Sequence, residues 1–175
     1  GAMQHDLEDA VRWAVDTGIA NPKRLAIFGS SYGGYATLAA LSSTPDLFCC
    51  GVDLSGPSDL LGWLQARTEE YEGYKSFFYT RVGDPAVDAE MLRSRSPLFA
   101  ADRIRAPLLI MQGGRDRFVP NADAERIAAV LRKNGVPCEY VYFPDEGRGV
   151  SKPENRMKFG ETAARFLAKY LGGRQ

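Results

Sequence analysis

The sequence predicts an α/β fold of about four parallel strands flanked by helices. Short apolar runs without polar alternation recur along the chain, as strands buried on both faces of a parallel sheet require. Between them lie stretches whose apolar residues fall three and four apart, the spacing of amphipathic helices. No internal repeat, low-complexity tract or Pro/Gly/Ser-rich linker breaks the alternation, so the 175 residues read as one domain.

Leu7, Ala10, Val11, Ala14 and Val15 place a first helix, with Asp6 as its expected N-cap and Gly18 as its stop. After the turn at Asn21-Pro22 the run Leu25-Ala26-Ile27-Phe28 predicts a strand ending at Gly29, followed by a small-residue helix from about Gly33 to Leu41. Further strands are predicted at Gly51-Val52-Asp53-Leu54, Leu108-Leu109-Ile110-Met111 and Glu139-Tyr140-Val141-Tyr142-Phe143. A helix carrying Ala128, Val130 and Leu131 joins the last two. The closing helix carries Phe159, Ala163, Phe166, Leu167 and Tyr170, and Ser151 with Glu154 is expected to form its capping box, with Pro153 in its first turn. From Ser58 to Ser96 the chain departs into short helices rich in aromatics: Trp63, Tyr71, Tyr74, Phe77, Phe78 and Tyr79. Excursions at the carboxyl ends of strands shape ligand crevices in such folds, so Trp63, Phe77 and Phe78 are candidate substrate-binding residues. The alternative is that they are the core of a helical cap.

Lys and Arg total 22 and Asp and Glu total 22. That balance, with no basic cluster, leaves no electrostatic footprint for nucleic acid or an anionic membrane. No continuous apolar stretch approaches the roughly 18 to 20 residues of a membrane span and no signal peptide opens the chain, so a cytoplasmic location is expected. Cys49, Cys50 and Cys138 are too few and too badly placed for a disulfide framework and lack metal-ligand spacing; they read as reduced, small hydrophobes. Gly1-Ala2-Met3 resembles a remnant of tag removal, leaving residues 4–175 as the domain.

The chemistry centres on Gly29-Ser30-Ser31-Tyr32-Gly33-Gly34. This G-x-S-x-G stands between a predicted strand and a predicted helix. There a sharp turn lifts the Ser31 hydroxyl above the sheet, and glycines two before and two after spare the turn a collision. The helix that follows points free N–H groups at the same spot, and the Tyr32 N–H is the expected oxyanion donor. A serine hydroxyl needs a base to take its proton and an acid to orient that base, in the order serine, acid, histidine along the chain. The expected acid is Asp116, just past the third strand. Asp145 and Glu146 are rivals, but they follow the last strand, where the base belongs. In Pro144-Asp145-Glu146-Gly147-Arg148 that place is held by Arg148, and the chain's single histidine is His5. As a helix-start residue, His5 reads as solvated or capping.

Several motifs together resemble the prolyl-oligopeptidase family, in particular its acylaminoacyl peptidases and related bacterial oligopeptidases. They are Ser31 with Tyr32-Gly33-Gly34-Tyr35, Asp116 with Val119-Pro120, Ser96-Pro97 before the third strand, and Pro144-Asp145-Glu146-Gly147 followed by Lys152-Pro153-Glu154-Asn155-Arg156. The likeness runs from about Asp6 to Leu171. It implies an α/β-hydrolase catalytic domain that cleaves short peptides, with a β-propeller N-terminal to it in the full protein. It also places Arg148 at the family's catalytic histidine. A guanidinium keeps its proton to above about 12 and offers five donors and no acceptor, so it cannot take the serine proton. Losing a triad base lowers turnover by roughly 10⁴ to 10⁶, and Arg148 is instead expected to pair with Asp116 and hold the loop.

The resemblance further implies strands before Asp6 and an upstream loop with a second oxyanion donor, so the chain is expected to be a partial α/β-hydrolase fold with its early strands missing. Its first strand would then be a bare sheet edge, and self-association or exchange of elements between copies is expected. The reading is of a serine peptidase fragment, silent as it stands, that needs neither cofactor nor metal because acyl transfer through a serine ester needs none. A non-catalytic binding domain, with Arg148 making an anion site beside Ser31, and a small-ester hydrolase remain the alternatives.

Overall fold

Each of the four apolar runs is a strand, and together they form a single parallel sheet in the computed structural model, which describes residues 2–66 and 72–173. The strands are β1 (Ala26–Ser30), β2 (Cys50–Leu54), β3 (Leu108–Gly113) and β4 (Cys138–Phe143), and their order in the sheet follows the chain. β2 and β3 are buried throughout, whereas β1 and β4 carry exposed positions. The fully apolar Leu108-Leu109-Ile110-Met111 run is thus a strand covered on both faces.

Helices α1 (Ala2–Asp16), α2 (Tyr32–Ser43), α6 (Asn121–Lys133) and α7 (Pro153–Leu171) alternate with the strands, and the shorter α3 (Leu60–Gln65), α4 (Glu72–Arg81) and α5 (Ala89–Ser94) fill the aromatic-rich excursion. A 3-10 helix, Pro97–Arg103, leads back towards β3. One face of the sheet packs Leu108 and Ile110 against Leu38 and Leu41 of α2 and Ile127 and Leu131 of α6. The other face packs Val52, Leu109 and Met111 against Ala163 and Phe166 of α7. A third apolar cluster, Leu60, Trp63, Leu64, Leu92 and Val119, lies under the excursion with Phe78 and Phe118 against it. Tyr71 lies outside the described residues.

Two local expectations are corrected. α1 starts at Ala2, so Asp6 sits inside the helix and is not its cap. Ala2, Met3 and Gln4 are good helix formers and extend it by a turn, while Gly18 ends it at φ 75° as expected. The capping box at the start of α7 does not form. Lys152 takes the N-cap position without a side-chain cap, and the Ser151 hydroxyl donates to Glu146 Oε2 at 2.8 Å. Pro153 does occupy the first turn, where its missing N–H is harmless. Among the described residues no helix is long and apolar enough to cross a membrane, and Cys49, Cys50 and Cys138 are all free thiols.

Candidate active site

Ser31 stands where β1 turns into α2, with φ 57° and ψ −115°. That left-handed φ is strained for any residue with a Cβ, and it persists because the turn is tied on both sides. The Ser31 N–H donates to Leu54 O of the neighbouring strand at 2.8 Å, and its carbonyl accepts from Tyr35 N at 3.0 Å as α2 begins. A Cβ on Gly29 would lie 2.1 Å from Gly33 O, so the glycine two before the serine is required. The expectation for the glycine two after it is corrected. Gly33 has open space, and the crowded position is Gly34, where a Cβ would lie 2.2 Å from Asp53 Oδ1 and 2.8 Å from Gly56 Cα. The cause is β2, whose end presses against the first turn of α2. Tyr32 opens α2, so its N–H belongs to the helix-start donors that have no partner within the helix.

The Asp53 carboxyl beneath this turn is fully buried and accepts from Gly56 N at 2.9 Å. Burial pushes its pKa up to about 8, with the Gly56 hydrogen bond pulling it down and the nearby Asp123 adding to the rise.

Asp116 lies in the loop after β3. Its Oδ1 accepts from Phe118 N at 2.7 Å and Val119 N at 2.9 Å, which fixes the carboxylate, and among the described residues its Oδ2 meets Gln112 Nε2 at 3.5 Å. The loop after β4 is joined to this one. Arg115 N donates to Glu146 O at 2.8 Å, and Gly113 is so close to Gly147 that a Cβ would meet its carbonyl at 1.9 Å. Glu146, only 1% exposed, is the clamp of the β4 loop. It accepts from Asn155 Nδ2, Lys152 N and both the N–H and hydroxyl of Ser151. The Asn155 hydrogen bond, followed by those of Lys152 and Ser151, outweighs burial and lowers its pKa to about 2. Asp145 is held low as well, by Lys152 and then Asn155. Neither rival acid points its charge at Ser31.

The clamped loop delivers Arg148 to the serine. Arg148 Nε donates to Ser31 Oγ at 3.1 Å, and Nη2 donates to the same oxygen. The guanidinium lies 3.8 Å from the centre of the Phe118 ring. The expected pairing with Asp116 is corrected: among the described residues no ion pair joins them, although both side chains border one cavity with Phe118. The Phe118 face and the serine oxygen together direct the fork away from the carboxylate.

Ser31, Tyr32, Trp63, Phe77, Phe78 and Arg148 all line a cavity of about 560 Å³. The candidate nucleophile and the three aromatics read from the sequence are therefore brought to one place. Trp63 serves two ends, since it is only 6% exposed in the third apolar cluster and its Nε1 donates to Phe118 O at 2.9 Å. Phe77 is exposed, and Phe78 stacks edge-on against Trp63 at 5.4 Å. His5 is exposed on α1 and does not line the cavity, although Met3 and Gln4 do. Sequence reasoning missed Glu146 as a clamp and Phe118 as a platform, because each acts through a partner on another loop.

A serine on a strained strand-to-helix turn, a carboxylate fixed by backbone donors after β3 and a clamped loop carrying Arg148 after β4 thus gather at the carboxyl ends of the strands. The model of the prolyl oligopeptidase family matches residues 2–174. The chain belongs to that family. It is 46% identical over 176 residues to a dipeptidyl aminopeptidase BIII of Pseudoxanthomonas mexicana, which covers 99% of this chain and 26% of that protein. With a dipeptidyl peptidase family member 6 of Caenorhabditis elegans it shares 44% identity over 174 residues, covering 98% of this chain and 24% of the relative. The structure of a puromycin-hydrolyzing peptidase of Mycobacterium tuberculosis superposes with a TM-score of 0.87 at 34% identity, over 94% of this chain and 24% of the other. An acylaminoacyl peptidase of Pyrococcus horikoshii gives 0.80 at 28% identity, over 97% and 27%. These neighbours confirm the α/β-hydrolase architecture. The chain spans about a quarter of the length of the relatives it matches.

Proposed function

We propose that this chain is the serine-bearing part of a peptidase catalytic domain acting on short peptides, with Ser31 as nucleophile, Tyr32 N–H as oxyanion donor and Asp116 as orienting acid, and that Arg148 keeps it silent. The observation that carries the reading is Arg148 on Ser31 Oγ. Attack on a carbonyl carbon requires the hydroxyl proton to leave for an acceptor as the new bond forms. The group at hydrogen-bond distance is a donor from both of its contacting nitrogens, so the proton has nowhere to go. The rest of the arrangement suits acyl transfer. The N–H groups at the start of α2 face developing negative charge, and Asp116 leaves Oδ2 open to orient an imidazole.

The test is hydrolysis of a short-chain p-nitrophenyl ester by the chain and its Arg148→His variant, with Ser31→Ala as the blank. The variant is expected to exceed the blank and the parent to match it. Equality of all three would remove the peptidase reading from this chain and leave the second one, a binding domain. That reading draws on the same contact, because a guanidinium beside a helix start suits an anion.

A further inference from the structure

The cavity that holds Ser31 continues past the serine along one face of α2. Tyr35, Ala36, Ala39 and Ser43 line it at helical spacing, and the last three are small enough to leave an open floor. With 12 residues, α2 is about 18 Å long, which is the length of an extended peptide of about five residues at roughly 3.3 Å each.

Among the described residues the charge lining this groove is one-sided. Arg81, Arg95, Arg103 and Arg148 line it, and among the described residues no Asp or Glu does. In a chain with 22 acidic and 22 basic residues that segregation is a local feature. Among the described residues Arg81, Arg95 and Arg103 take part in no ion pair. The segment bearing Arg95 and Arg103 is held in place. Arg95 O accepts from Tyr35 Oη at 3.1 Å, and buried Ser96 accepts from Leu60 N at 2.8 Å while donating to Leu92 O at 2.7 Å. Ile104, next to Arg103, is 1% exposed. Like charges in a cleft with apolar walls focus their field, and a guanidinium fork matches a carboxylate.

We infer that the groove selects short peptides bearing a carboxylate several residues from the bond presented to Ser31, with Arg95 and Arg103 receiving it. The carboxylate belongs to an acidic side chain or to a free C-terminus. The inference rests on the reading of Ser31 as the reacting serine. The hydrogen-bonded backbone at Arg95 and Ser96 and the buried Ile104 beside Arg103 lower the cost of ordering the two arginines around the ligand.

Binding is read from Trp63 fluorescence in the Trp13→Phe chain, using N-acetylated pentapeptides of Ala and Phe. One ends in an amide and is neutral, one is an amide with a Glu near its C-terminus, and one is neutral in its side chains with a free C-terminal acid. At least one carboxylate peptide is expected to bind ten-fold or more tighter than the neutral amide, with the advantage shrinking in high salt. Which of the two does so identifies the source of the carboxylate. Arg95→Gln with Arg103→Gln is expected to bring the ratio near one, and Arg103→Glu to turn the preference towards a Lys-bearing peptide. Circular dichroism checks that each variant folds, and a variant that does not is replaced by Arg103→Lys with a lesser loss of preference. Equal affinities, an unchanged ratio in folded variants, or no binding of any peptide would each overturn the inference. Fluorophosphonate labelling of Ser31 in Arg148→His separates the two readings. Labelling without carboxylate preference removes only the inference, and preference without labelling removes only the catalytic role of Ser31.

Discussion

Arg148 and Ser31, 117 positions apart in the chain, meet through two donors on one hydroxyl oxygen. The contact takes up the lone pairs that face the β4 loop and offers the serine proton no acceptor. If this contact alone silences the site, an imidazole at position 148 has its orienting acid waiting in Asp116. Ester hydrolysis gained by Arg148→His should then depend on Asp116. Adding Asp116→Asn is expected to remove most of the gain, by up to about 10⁴, while Arg148→Ala alone gains nothing. A gain that survives Asp116→Asn would show that the imidazole works without that acid.

Glu146 accepts four hydrogen bonds while almost completely buried. Its folded pKa of about 2 lies below the unfolded value, so its stabilisation is complete above the ordinary carboxyl range and is lost as pH falls from about 4.3 through 2. Glu146→Gln is expected to lower Tm at pH 7 by several degrees and to flatten the acid limb of a Tm-versus-pH series. An acid limb unchanged in the variant would assign acid unfolding to other carboxylates.

Asp53 shows the opposite sign. Its folded pKa of about 8 lies above the unfolded value, so the folded state holds a proton that the unfolded chain has lost. Stability therefore declines as pH rises from about 3.9 to 8 and is level beyond. Asp53→Asn keeps an oxygen for Gly56 N and carries no charge. Thermal unfolding of this variant is expected to lose the decline between pH 5 and 8, with its Tm above that of the parent at pH 8. A parallel pair of curves would show that Asp53 ionises freely in the fold.

What was legible in the sequence is what neighbouring residues determine. The Leu108–Met111 run declared a strand because both of its faces are covered, and Ser31 declared itself because strand, glycine and helix are contiguous around it. What was illegible depends on partners distant in the chain. The crowding at Gly34 rather than Gly33 comes from Asp53 and Gly56. The Ser151 hydroxyl donates to the Glu146 carboxylate, a charged acceptor from another loop position, and Lys152 rather than Ser151 takes the N-cap. The direction of Arg148 is set by Ser31 Oγ together with the Phe118 ring on another loop. A pairing with Asp116 reads equally well until that ring is in place.

Phe28 of β1, at the edge of the sheet, is 50% exposed and meets Phe159 of α7 edge-on at 6.2 Å. Beyond it α1 contains no buried residue, and its Trp13 is 62% exposed. An edge strand offers backbone groups to any strand that approaches, and exposed apolar side chains favour that approach. The chain is therefore expected to self-associate, its mass by light scattering rising with concentration above that of one copy. Trp13→Glu with Phe28→Lys places charges of both signs on the surface and should shift the mass towards one copy without altering the far-ultraviolet spectrum. A single-copy mass for the parent chain at about millimolar concentration would show that this edge is protected by its own twist and flanking charges rather than by a second copy.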